Sequence, residues 1–66
     1  MKISRYDLAR SAMFDAAQES KRKRKGEYLN SKDIQAGIEA FNKVYPMADY
    51  IAVITGQKDE FVYINN

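Results

Sequence analysis

Tyr50-Ile51-Ala52-Val53-Ile54-Thr55, then Gly56-Gln57-Lys58-Asp59, then Glu60-Phe61-Val62-Tyr63-Ile64 is the stretch on which the fold turns. Its two apolar runs are rich in β-branched and aromatic residues, and the polar tetrapeptide between them holds a turn-permitting glycine. That combination reads as a β-hairpin. A four-residue loop pairs Ile54 with Phe61, Val53 with Val62, Ala52 with Tyr63 and Ile51 with Ile64. One face of the ribbon then shows Tyr50, Ala52, Ile54, Phe61 and Tyr63, and the other shows Ile51, Val53, Val62 and Ile64. Both faces are apolar, whereas a half-solvated sheet alternates apolar with polar. A lone two-stranded ribbon is marginal in water, so something further must cover it. Within one chain that cover is the Lys2-Ile3 segment or the helices; between chains it is a second copy or a partner protein.

Upstream the period changes. Tyr6, Ala9, Ala12, Met13, Ala16 and Ala17 recur at the three-and-four spacing of one helical face. The spacing predicts a helix from about Ser4 to about Lys23, with Ser4 and Asp7 as its start and Gly26 as its end. Its small alanines invite close approach by a neighbour. Asn30 with Asp33 marks the start of a second helix, and Leu29 is placed to staple onto Ile34. Ile34, Ile38, Phe41 and Val44 or Tyr45 mark its buried side, with Gly37 turned toward the alanine stripe. Pro46 stops it. The expected fold is therefore α+β over a single domain, residues 1–66. Two antiparallel helices pack on a C-terminal two-stranded antiparallel hairpin in the order α-α-β-β, completed by dimerisation if the second ribbon face finds no cover in its own chain.

Length and composition restrict function. A chain of 66 residues has room for one domain and buries only about 60% of its unfolded surface. It has no Cys and no His, which removes disulfide and zinc staples, the commonest general base and the best nucleophile. The three glycines, Gly26, Gly37 and Gly56, are isolated and form no phosphate loop. Asp49, Asp59 and Glu60 follow no calcium-loop spacing. Neither an enzyme nor a cofactor is expected. The longest apolar run, Tyr50–Ile54, is far below the ~20 residues a spanning helix needs, and the N-terminus lacks the apolar stretch of a secretory signal. A cytoplasmic location follows from these features.

Charge is unevenly placed. Lys21, Arg22, Lys23, Arg24 and Lys25 supply five of the 11 basic residues, leaving six against nine acidic ones elsewhere, a net of −3 on the rest of the chain. Five adjacent cations point all round a helix axis, which suits phosphate-backbone contacts rather than base reading, and Tyr28 adds a stacking surface. The same run is also what a solvated helix C-terminus looks like, since cations there favour the dipole. Two functions follow. The first is a small regulatory or inhibitory protein that binds another macromolecule, above all a protein. It would do so through Tyr50, Ala52, Ile54, Phe61, Val62 and Tyr63, and as a homodimer in one version. The alternative is sequence-nonspecific nucleic-acid binding through Lys21–Lys25 and Tyr28.

Overall fold

The computed structural model describes residues 1–65 and runs β1 (Lys2–Ser4), α1 (Arg5–Lys23), α2 (Ser31–Val44), α3 (Met47–Ile54) and β2 (Phe61–Tyr63). The α+β class holds, with three helices and a two-stranded antiparallel sheet. The order is β-α-α-α-β. β2 lies within the expected second strand, but its partner is the N-terminal β1, in the register Lys2 to Tyr63, Ile3 to Val62 and Ser4 to Phe61. Backbone bonds from Arg5 N–H to Glu60 O (2.9 Å) and Ile64 N–H to Met1 O (2.7 Å) extend the ladder at both ends.

The expected first strand, Tyr50–Thr55, is instead α3 and the residue that follows it. Its limits have a local cause. Pro46 has a φ of −68° and sits at the N-cap, where its missing N–H breaks no helical bond. At the other end Gly56 has a φ of +78°, and Gly56 N–H and Gln57 N–H return to Val53 O (3.1 Å) and Ala52 O (2.7 Å). Those two bonds are a Schellman motif, so Gly56 terminates a helix rather than turning a hairpin.

α1 and α2 are antiparallel, as the contacts along them show. Ser20 meets Asp33, Met13 and Ala17 meet Gly37, and Tyr6 meets Phe41. Gly37 is there for proximity: a Cβ on it would lie 2.9 Å from the Met13 carbonyl oxygen and 3.1 Å from Met13 Cγ. Ala9 and Ala17 are buried beside this seam.

The resulting body measures 42 × 28 × 13 Å, close to one helix diameter in its thinnest direction. Its radius of gyration is 14.0 Å, against roughly 11 Å for a typical 66-residue domain. The fold is a single-layer slab. Among the described residues, Ala9, Ala17 and Tyr45 form its buried apolar centre.

Candidate protein-docking surface

The basic run lies at the C-terminus of α1. Arg24 is the C-cap, and Lys25 follows it in the left-handed region at φ 57°. Lys25 N–H and Gly26 N–H donate to Arg22 O and Lys21 O, both at 3.0 Å, so α1 too ends in a Schellman motif. The left-handed residue is thus Lys25, one position before the expected Gly26. Gly26 serves a different need: any Cβ there would collide with the Arg24 guanidinium folded across it.

That guanidinium is committed to α2. Arg24 Nη2 lies 2.6 Å from Asp33 Oδ2, and Nε donates to the same carboxylate at 3.1 and 3.2 Å. Nη2 also donates to the Tyr28 carbonyl. Asp33 further accepts from Ser20 Oγ at 2.6 Å and from Asn30 N–H at 2.9 Å, while Asp33 N–H donates to Asn30 Oδ1 at 3.0 Å. The last two bonds are the capping box expected from Asn30 and Asp33. Asp33 is fully enclosed by its partners. The Arg24 hydrogen bonds hold its carboxyl well below the usual carboxylate range, assisted by Ser20 and the Asn30 amide and opposed by burial. The same hydrogen bond raises the Arg24 pKa above its ordinary value. Leu29 and Ile34, expected to staple together, are both largely exposed.

Lys23 lies 3.5 Å from Glu19 across one helical turn. Among the described residues, Lys21, Arg22 and Lys25 make no ion pair, and Tyr28 is the most exposed ring of the chain. The run therefore offers three cations without an ionic partner, of which Lys21 is half-buried.

The six residues expected to form an apolar ribbon face are split between two elements. Tyr50, Ala52 and Ile54 lie on α3, while Phe61, Val62 and Tyr63 are β2. Phe61 and Val62 are half-buried, the Lys2 ammonium sits 4.0 Å above the Phe61 ring, and Tyr63 is exposed with its hydroxyl donating to Asp59 Oδ2 at 3.3 Å. No single face unites the set.

What α3 presents instead is a stripe. Met47, Tyr50, Ile51 and Ile54 fall at i, i+3, i+4 and i+7, one side of a helix. They are 69%, 47%, 49% and 63% exposed, while Ala52 and Val53 are half-buried. Two of the four, Met47 and Ile51, fall outside the set expected from sequence. A period of two assigns Ile51 to the opposite ribbon face, and a period of 3.6 joins it to Tyr50 and Ile54. α3 touches the rest of the slab only sparsely.

Its firmest links are aromatic and electrostatic. A chain of rings runs Tyr6, Phe41, Tyr45, Tyr50 at centroid spacings of 5.9, 6.4 and 6.0 Å, joining α1, α2 and α3. Tyr45, whose hydroxyl donates to Glu60 Oε2 at 3.0 Å, is buried at its centre. Burial first, and the Glu60 carboxylate second, push the Tyr45 phenol above its ordinary value. Met47, Tyr50 and the first three rings line a cleft of about 260 Å³ beside the stripe. Lys58 Nζ reaches Asp49 at 2.9 Å and ties the loop after α3 back onto it.

Among the described residues no group of three His, Cys, Asp or Glu side chains is placed to hold a metal. No helix among the described residues is long and apolar enough to cross a membrane. No family model, curated protein or solved structure matches the chain.

Proposed function

We propose that this is a small, non-catalytic binding protein, regulatory or inhibitory in role, whose partner is another protein met by the α3 stripe. The supporting observation is the exposure of all four apolar residues on one side of an eight-residue helix, Met47, Tyr50, Ile51 and Ile54. Anchors at i, i+3, i+4 and i+7 are the pattern by which an amphipathic helix seats in a hydrophobic groove. The adjoining cleft between Tyr6, Phe41, Tyr45 and Tyr50 gives the partner a recess for one apolar side chain. Phosphate binding by the basic run is the less favoured reading, because Arg24 is bound to Asp33 and Lys23 is paired with Glu19.

A photo-crosslinking residue at position 51, introduced in cells that make the protein, tests this directly. One crosslinked protein is expected there, absent when the probe is placed at position 32 and lost with Ile54→Asp. The reading fails if position 51 gives no adduct. It fails equally if labelled mixed-sequence RNA or DNA binds with steep salt dependence and binding is lost on neutralising Lys21, Arg22 and Lys25.

A further inference from the structure

A second apolar surface runs along α2 and adjoins the α3 stripe at Tyr45. Ile34, Ile38, Phe41 and Tyr45 recur at spacings of four, three and four, the seam of a helix that packs against another helix. Phe41 and Tyr45 are covered by the ring chain, but Ile34 and Ile38 remain 52% and 50% exposed. Phe14 of α1 is 61% exposed. Phe14 and Ile38 each lie one residue beyond the Met13–Gly37 contact. In two antiparallel right-handed helices, that single step of about 100° turns both side chains to the same side of the slab. Ile34, three residues before Gly37, turns to that side as well.

The charges of α2 are kept off this seam. Lys32, Glu39 and Lys43 lie on the helix side away from it, and Asp33 is enclosed by Arg24 and Ser20. The positions that flank the seam outward are Gln35 and Asn42, both uncharged. Where α2 faces α2 across a two-fold axis, these positions bring no like charges together; Asp7, Arg10 and Lys21 of α1 turn to the same side of the slab and surround Phe14.

The exposure of the whole chain, α3 stripe included, exceeds what a compact monomer of this mass shows. A monomer of 7.6 kDa is expected to expose about 4,300 Å². This chain exposes 5175 Å², an excess of about 900 Å² over that expectation. One partner's share of a standard interface is about 800 Å².

We propose that a second copy of this chain covers the Phe14–Ile34–Ile38 surface, giving a two-fold dimer in which α2 packs against α2 with Ile38 at the axis. The slab then becomes one half of a four-helix layer pair, with two α3 stripes still facing outward. The two surfaces adjoin at Tyr45, whose ring meets Tyr50, but the dimer rests on Phe14, Ile34 and Ile38 and the α3 contact on Met47, Tyr50, Ile51 and Ile54, so either reading can fail without the other.

Sedimentation equilibrium across a concentration series up to ~100 µM, far above a micromolar Kd, tests the proposal on the full chain. The expected result is a dimer whose dissociation constant rises at least about thirtyfold with Ile38→Asp, with helical circular dichroism retained. Ile54→Asp should leave the dimer intact. The chain contains no cysteine, so Ile38→Cys supplies a readout that keeps the apolar seam in place. The two thiols introduced near the axis should link the dimer on mild oxidation, whereas Lys43→Cys should not. A monomer throughout the series overturns the proposal. So does a dimer that survives Ile38→Asp and gives no crosslink through position 38.

Discussion

At the turn between α1 and α2, Ser20, Arg24 and Asn30 converge on one enclosed carboxylate, and the helices meet across Gly37 with almost no space between them. At the start of α3, by contrast, Pro46 offers no side chain to cap the helix, and the apolar residues that follow face water. The first region is fixed by directional bonds whose partners are all satisfied, which specify one geometry. The second is held by a few ring contacts and a surface ion pair. Three apolar residues are too few to close a core, so the chain joins α1 to α2 with polar groups and leaves many large apolar side chains exposed. A molecule arranged like this has a rigid half that sets shape and a looser half with surface to spare for a partner.

The contrast predicts where substitutions will hurt. Asp33→Asn should have the largest effect, because it strips the charge from a carboxylate that four donor groups surround. A fall in Tm of about 10 °C or more is expected by circular dichroism. The effect should depend on pH in a defined sense. Because the folded-state pKa of Asp33 is depressed, its contribution is present above the unfolded value of about 3.9 and is lost as pH falls below it. The gap in Tm between wild type and variant should therefore narrow from pH 5 toward pH 3. A gap that stays constant would mean the carboxylate is not the group that matters.

Gly37→Val comes next. The new side chain would push against the backbone carbonyl of Met13, at an expected cost of about 2 kcal/mol in urea denaturation. The two helix C-termini give a smaller, paired comparison. Lys25 and Gly56 occupy equivalent left-handed positions, yet one carries a side chain. Lys25→Gly should stabilise by about 0.5 kcal/mol, and Gly56→Ala, with open space around it, should cost about 1 kcal/mol through backbone strain alone. Opposite signs at the two ends would support the equivalence; a loss at both would contradict it. The smallest effect belongs to Lys58→Ala, under about 0.5 kcal/mol, since the lysine end of its bridge to Asp49 lies at the surface.

Much of the rigid half could be read in the residues themselves. Asn30 and Asp33 announce the capping box, the alanine spacing marks the α1 seam, and Gly37 points to close approach. What could not be read is that Arg24 leaves the basic run to meet Asp33, because nine residues and a turn separate them and only the folded Schellman motif brings them together. The looser half departs from its sequence expectation for a physical reason. Tyr50–Thr55 has the β-branched and aromatic content of a strand, and that preference depends strongly on context. Here the brackets Pro46 and Gly56, together with the 47, 50, 51, 54 spacing, outweigh it. The partner of β2 also lies nearly sixty residues away at Lys2–Ser4, a pairing that no local pattern encodes. The ring chain arises only once all three helices are in place, and the Tyr45–Glu60 bond only once the segment before β2 is placed as well.

The central claim, a buried α1–α2 seam beside an outward-facing α3 stripe, is tested most directly by placing the same charge in each. Ile54→Asp and Ala17→Asp should be compared by thermal and urea denaturation of the full chain. Ile54→Asp is expected to stay within about 0.5 kcal/mol of the wild type, as surface substitutions do, while Ala17→Asp should leave the chain unfolded. A loss of about 2 kcal/mol or more from Ile54→Asp would contradict the account, because it would place the α3 stripe inside the fold.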